Sequence, residues 1–140
     1  MQTAARKVSE AFERGVANGA LSAADLFDRN LTPIPGSNPQ QFMARCTEFC
    51  DKVLPDIQEA ALTSSDRVVF CVALDENGYL PTHNRKFSQP QGNDPVWNAA
   101  NCRNRRIFND RVGLAAGRNT RPFLLQTYRR DMGGGNFVLM

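Results

Sequence analysis

The 140-residue sequence lacks several features that each mark a particular class of protein. It has no apolar run near the ~18 residues of a membrane span, and its start, MQTAARKVSEAFERG, has no apolar core like that of a signal peptide. It also has no internal repeat and no low-complexity tract. Its apolar content of 41% and charged content of 22% are those of an ordinary globular domain. We therefore expect a single globular domain in the cytoplasm.

Cysteine and histidine are scarce, with four and one residues respectively. A chain of this length does not need disulfides, and Cys46 and Cys50 lie four residues apart on a predicted helix, which is poor disulfide geometry. We therefore expect reduced thiols. A zinc site built from these two residues with Cys102 and His83 would draw on three separate elements, and no Cys-x-x-Cys pair is present. We predict no metal site and no cofactor, with haem as a minor alternative because the chain has no Cys-x-x-Cys-His motif.

Acidic residues are rare in the second part of the chain. Residues 1–84 hold seven Lys/Arg and eleven Asp/Glu, a net charge of −4, whereas residues 85–140 hold ten and three, a net charge of +7. An anion would therefore bind in the second part.

Helical periodicity dominates the first 62 residues. Residues 4–17 have apolar side chains at three-to-four spacing, which predicts an amphipathic helix with Phe12 and Val16 facing inward. Ser22 resembles the first residue of a capping box for a short helix. A further helix is predicted from about Gln40, with Pro55 expected to end or kink it.

Strand patterns begin after this helical part. Residues 68–74, VVFCVAL, form a continuous apolar run that predicts a strand in the middle of a sheet. An Asn-Gly turn follows, and residues 79–81 are expected to pair back as an edge strand. Residues 94–108 are predicted to be a helix capped by an Asp-Pro start. Residues 121–140 are predicted to be a β-hairpin around a glycine-rich turn, and Phe137 begins its return strand.

These elements predict an α+β fold with one mostly antiparallel sheet, N-terminal helices, and helices across one face of the sheet. Within one domain, residues 1–62 form a helical part and residues 66–140 form a sheet-forming part. The last four residues are apolar and carry no turn or polar cap. We therefore expect the final strand of the sheet to be missing, and we expect unpaired edges to make the 140-residue chain associate.

Three stretches carry a resemblance to a known family: PIPGSNPQQF (33–42), GYLPTHNRKFSQPQG (78–92) and NRRIFNDRVGLAAGRNTRPFLLQTYRRDMGGG (104–135). Together they resemble the PAS/Cache-like sensory domain attached to bacterial methyl-accepting chemotaxis proteins. The resemblance implies a ligand-sensing input module whose output is a helical signalling domain, in a homodimeric receptor that a membrane span could flank. It also implies that one more antiparallel strand lies centrally in the sheet.

Two adjacent arginines provide the sharpest chemical hypothesis. Alternation along a strand sends Arg129 and Arg130 to opposite faces, and an unpaired buried guanidinium would be unfavourable. The inward arginine must therefore pair with a carboxylate such as Asp131 or bind an anionic ligand. The sequence leaves both readings open.

The predicted ligand pocket contains His83, Trp97, Arg106, Tyr128 and Arg130. His83 is equally consistent with a structural or solvated histidine. The large amphipathic rings of Trp97 and Tyr128 are equally consistent with core packing. The pocket is expected between the sheet and the helix predicted at residues 94–108.

The leading hypothesis is a non-enzymatic sensor that binds a small molecule, with anions among the candidates. A haem-, metal- or redox-sensing PAS-like domain is one alternative. A nucleic-acid-binding module is another, because eight arginines fall between residues 103 and 130. Since they are spread over several elements without a nucleic-acid-binding motif, no nucleic-acid partner is predicted.

Overall fold

The computed structural model, which describes residues 1–140, confirms an α+β fold with five helices and small antiparallel sheets. The helices are α1 (Gln2–Ala17), α2 (Ala23–Leu26), α3 (Thr47–Leu62), α4 (Pro95–Asn101) and α5 (Arg111–Gly117), with a 3₁₀ turn at Arg85–Phe87. The strands form three separate antiparallel pairs: β1 (Thr32–Pro33) with β2 (Phe42–Met43), β3 (Tyr79–Leu80) with β4 (Arg106–Ile107), and β5 (Arg129–Asp131) with β6 (Phe137–Leu139).

The main cluster of buried apolar side chains lies in the helical part of the chain, and Cys71, Tyr79, Leu80 and Cys102 are buried outside that part. The centre of this cluster consists of four buried side chains: Leu21, Cys46, Cys50 and Leu54. Further apolar side chains of α1 and α3 pack around them. Phe12 faces this cluster as predicted, and Gly15 lets the two helices approach because its missing side chain leaves room for the Phe49 ring. None of the helices combines the length and the apolar composition that a membrane crossing requires.

The N-terminal helices confirm the sequence patterns. Helix α1 ends at Ala17 with Asn18 as its C-cap, and the next residue, Gly19, takes a positive φ of 76°. The Ser22 hydroxyl oxygen accepts a hydrogen bond from the Asp25 backbone N–H at 3.0 Å, which caps α2.

The predicted start of the next helix is wrong. Helix α3 begins at Thr47, whereas Phe42 belongs to a strand that pairs with β1. The Thr47 hydroxyl accepts a hydrogen bond from the Ala44 N–H, which stabilises the turn that precedes the helix. Pro55 lies inside α3 and does not end it. The proline removes one backbone hydrogen bond, and the packing of α3 against α1 outweighs that loss.

The central strand predicted at residues 68–74 is also wrong. This segment has no strand partner, and the Cys71 N–H donates instead to the side-chain oxygen of Asn84 at 2.7 Å. The turn that follows is confirmed, because the Gly78 N–H donates to the Asp75 carbonyl at 3.0 Å. However, β3 pairs with β4 rather than with residues 68–74, so there is no single sheet.

In the C-terminal part, the predicted start of helix α4 is confirmed and its predicted end is wrong. Asp94 caps α4 as predicted, since its carboxylate accepts a hydrogen bond from the Val96 N–H. The helix ends at Asn101, so the expected extension to residue 108 is wrong, and Arg106 lies in a strand. The final hairpin is confirmed for residues 129–139, with β5 and β6 joined across a turn of three positive-φ glycines, but residues 121–127, which were expected to extend its first strand, form no strand.

Candidate functional site

Strand β5 places two arginines in opposite environments. Arg130 is buried, with 4% of its surface exposed, whereas Arg129 is exposed and stacks on the Phe137 ring. The pairing of Arg130 with Val138 fixes this alternation, because a strand sends successive side chains to opposite faces. The predicted inward arginine is therefore Arg130.

Arg130 is held by aromatic rings and not by a carboxylate. Its guanidinium carbon lies 4.4 Å from the centroid of Phe70 and 4.6 Å from that of Phe87. Its Nη1 is buried and has no hydrogen-bond partner. Burial, together with the charge of Arg103, lowers the pKa of Arg130 to about 10, so the side chain is still a cation at neutral pH.

Arg103 lies close enough to this buried cation to act on its charge, and Arg106 in turn lies beside Arg103. Arg103 and Arg106 each stack on Phe108 at 5.1 Å, and each donates a hydrogen bond to the Ala99 carbonyl, at 3.2 and 3.1 Å. Burial lowers the pKa of both, to about 10 for Arg106, where Arg103 also contributes. We call Arg103, Arg106 and Arg130 the arginine cluster.

The arginine cluster has no acidic partner in contact with it. None of its three members forms an ion pair with a carboxylate. Asp131 raises the pKa of Arg103 and Arg106 through its charge, but it is exposed, and only its backbone carbonyl accepts a hydrogen bond from Arg103. Of the two readings that the sequence left open, the carboxylate pair is therefore absent.

His83 lies next to the arginine cluster as a neutral side chain. It is 3% exposed, and its ring lies 5.6 Å from that of Phe70 and 4.9 Å from that of Phe87. Its Nδ1 accepts a hydrogen bond from the Asn84 N–H at 2.8 Å, so the neutral ring carries its proton on Nε2. Burial, reinforced by Arg103, Arg130 and Lys86, lowers the pKa of His83 to about 3. This enclosed ring does not fit the role of a haem ligand.

Tyr128 supplies a hydroxyl to the same region. Burial raises its pKa, although the charges of Arg130 and Arg103 oppose that rise. The phenol is therefore protonated at neutral pH and can donate a hydrogen bond to an anion.

Four of the five predicted pocket residues thus share one electrostatic environment, and Trp97 stands apart. Trp97 lies on α4 with 45% of its surface exposed. The predicted pocket did not include Arg103. Its distinguishing signal was its spacing of three residues from Arg106 beyond a short helix.

The arrangement can bind an anion. Guanidinium groups offer paired N–H donors that match carboxylate or phosphate oxygens. Arg130 is buried against the rings of Phe70 and Phe87, and charge interactions at a buried site are stronger than in bulk solvent. A bound anion would also satisfy Arg130 Nη1 and relieve the repulsion among the three cations.

A separate cavity of about 670 Å³ lies between the N-terminal helices and residues 73–76. Apolar side chains form most of its wall, including Phe12, Leu26, Leu54 and Leu74. The sequence patterns did not predict this cavity.

Two thiols line this cavity. The neighbouring Cys50 thiol, helped by the charge of Arg29, lowers the pKa of Cys46 to about 7, while the same interaction and burial raise the pKa of Cys50. All four cysteines are free, and no group of three or more His, Cys, Asp or Glu side chains is arranged to hold a metal ion. The pair is therefore a candidate for thiol chemistry at Cys46.

The chain matches no protein-family model, and comparisons with curated proteins and with solved structures return no significant similarity.

Proposed function

We propose that this chain is the ligand-sensing input module of a methyl-accepting chemotaxis receptor and that it binds a small anion at the arginine cluster. The observation that carries the ligand class is the buried Arg130, whose Nη1 has no hydrogen-bond partner and whose charge lies near that of Arg103, a second arginine without an ion pair. The receptor assignment is supported by the three sequence stretches that resemble the PAS/Cache-like sensory domain. In this proposal the module is not an enzyme, and it acts in the cytoplasm of a dimeric receptor.

A physical connection leads from the arginine cluster to the helical part. Arg105 lies between two members of the cluster and has a positive φ of 60°, an unusual conformation for a non-glycine residue. Its Nη2 donates to the Asp51 carboxylate on α3 at 2.8 Å, and the same carboxylate accepts from the Thr82 hydroxyl at 2.6 Å. An anion that shifts the backbone of residues 103–106 would therefore act on α3.

The route can transmit a signal only if the anion binds one arrangement of these elements better than another. Helix α3 packs on α1, so a movement of α3 would reach the N-terminal helix. In the proposed receptor, that helix passes the change to the signalling helices.

The test is a thermal-shift measurement with succinate, malonate and inorganic phosphate at matched ionic strength. A ligand at a hundred times its Kd stabilises the folded state by about 2.7 kcal/mol, so Tm should rise with at least one anion. Arg130→Gln should abolish this rise. Arg129→Gln is the matched control, because it removes a neighbouring exposed charge from the same strand, and it should respond like the wild type.

Two results would contradict the proposal. One is an absence of any rise beyond the ionic-strength control with all three anions. The other is an equal rise in Arg130→Gln and in the wild type.

A second candidate function is thiol-based sensing in the apolar cavity. Cys46 lines the cavity with a pKa of about 7, whereas burial raises the pKa of Cys71 and of Cys102. An apolar maleimide should therefore modify Cys46 first in the folded protein. Peptide mapping that finds Cys71 or Cys102 modified at the same rate would remove this candidate.

A further inference from the structure

Residues 68–74 have the apolar, β-branched composition of a strand, but most of their backbone groups have no hydrogen-bond partner. Within this segment, only the N–H groups of Val68 and Cys71 donate hydrogen bonds, to the Ser65 carbonyl and to the Asn84 side chain. None of its seven carbonyl groups accepts one from another part of the chain. Partly buried backbone groups normally have partners, so this segment is open to an added strand.

The bond to Asn84 defines which backbone groups are available. In an extended strand, the backbone N–H and C=O of successive residues point to opposite edges. Since the Cys71 N–H points toward Asn84, the groups of Phe70, Val72 and Leu74 form the opposite edge in such a strand. We call these three residues the acceptor edge, because they would accept the added strand.

Strand β6 has the complementary property. The mutual hydrogen bonds between Tyr128 and Met140 set the register of the hairpin, so the backbone groups of Phe137 and Leu139 point away from β5. Both side chains are among the exposed large apolar groups of the chain. We call Phe137 and Leu139 the donor edge, because they would supply the added strand.

We propose that the acceptor edge of one chain pairs with the donor edge of a second copy. Every copy carries both edges, so the exchange can be reciprocal and close as a two-fold dimer. Neither residues 68–74 nor Phe137–Leu139 contain a charged residue or proline, which are the features that prevent edge-to-edge pairing in natural sheets. The pairing would also bury the exposed apolar side chains of the hairpin.

The test measures the mass of the 140-residue chain by sedimentation equilibrium over a wide range of protein concentration. The wild type should form a dimer. Val72→Pro and Leu139→Pro each remove an N–H from one of the paired edges and should weaken dimerisation at least about tenfold. Val72→Thr and Leu139→Ala keep the N–H and are the matched controls, and each should dimerise more tightly than its proline counterpart.

A second measurement keeps the proposal testable if a proline variant unfolds. Hydrogen exchange of wild-type Val72 and Leu139 amides should slow as the protein concentration rises. A wild type that stays monomeric, proline variants that dimerise like their controls, or exchange at both amides that is independent of concentration would each overturn the proposal.

Discussion

Three arginines of the helical part and the three of the arginine cluster have different partners. In residues 1–62, Arg6, Arg29 and Arg45 form five ion pairs with carboxylates, all of them at least partly exposed. The arginine cluster of the second part contacts rings and carbonyls and has no carboxylate. The difference follows from composition, because residues 85–140 contain only three acidic residues. In the proposed function, an external anion supplies the negative charge that this cluster lacks.

The two parts also differ in what holds them together. The helical part has an apolar core centred on Leu54, whereas the side chains buried around the arginine cluster include His83, Asn84 and Asn98. Apolar burial stabilises a fold without directional requirements. A buried polar network instead depends on each partner being present. We therefore expect the second part to gain more from a ligand than the first.

The largest effect should come from the apolar core. Leu54→Ala removes a fully buried side chain and should lower the free energy of unfolding by about 2–5 kcal/mol. Leu125→Ala, at a residue that is 85% exposed, is the control and should change it by less than about 0.5 kcal/mol. Urea unfolding measures both. Equal effects would contradict the placement of the core in the helical part.

His83 should make the second part sensitive to acid. Its pKa is about 3 in the folded protein and about 6.5 when unfolded, so the unfolded chain takes up a proton first as pH falls. The contribution of His83 to the free energy of unfolding is therefore complete above about pH 6.5. It decreases toward pH 3 by up to about 1.4 kcal/mol per pH unit.

The His83→Gln variant isolates this effect because the sequence has no other histidine. Its unfolding free energy should vary much less between pH 6.5 and 5, where most carboxylates are still ionised. A wild-type stability that is flat over this interval would show that the imidazole is not buried as a neutral ring.

Gly15 tests the contact between α1 and α3. Alanine is a better helix former than glycine by about 1 kcal/mol, but a Cβ here would collide with the Phe49 ring. We expect Gly15→Ala to destabilise the protein by about 1–3 kcal/mol through overpacking. The double variant with Phe49→Leu should recover part of the loss. A Gly15→Ala protein more stable than the wild type would indicate that the helices lie further apart.

The smallest effect should come from an exposed ion pair. Arg6 contacts Glu10 one helical turn away, and both side chains are exposed. Exposed pairs of this kind contribute about 0.3–0.5 kcal/mol, so Arg6→Gln should be nearly neutral in thermal unfolding. A loss near that of Leu54→Ala would mean that ion pairs, and not apolar packing, hold the helical part together.

Local patterns in the sequence predicted some elements well. The spacing of apolar residues gave α1, Ser22 gave the cap of α2, and the triple glycine gave the turn of the last hairpin. Each depends on residues close in sequence, where propensity and turn chemistry decide. The alternation that turns Arg130 inward belongs to the same group.

Features that depend on distant contacts were predicted poorly. Residues 68–74 have a strand composition, but their partner was assumed to be the nearest segment, whereas β3 pairs with β4 nearly thirty residues away. The site was predicted in part, because charge and strand alternation identified Arg130. Arg103 was missed since its role arises only when α4 ends early and the chain turns toward Phe87.

Calorimetric titration of the protein with succinate tests the central claim most directly, because it measures whether an external anion supplies the missing charge. The account predicts saturable binding of one succinate per chain, weaker at higher salt, retained in Arg129→Gln and lost in Arg130→Gln. If succinate fails, malonate and inorganic phosphate should show the same pattern. Absence of saturable heat with all three anions, or equal affinity in wild type and Arg130→Gln, would contradict the account.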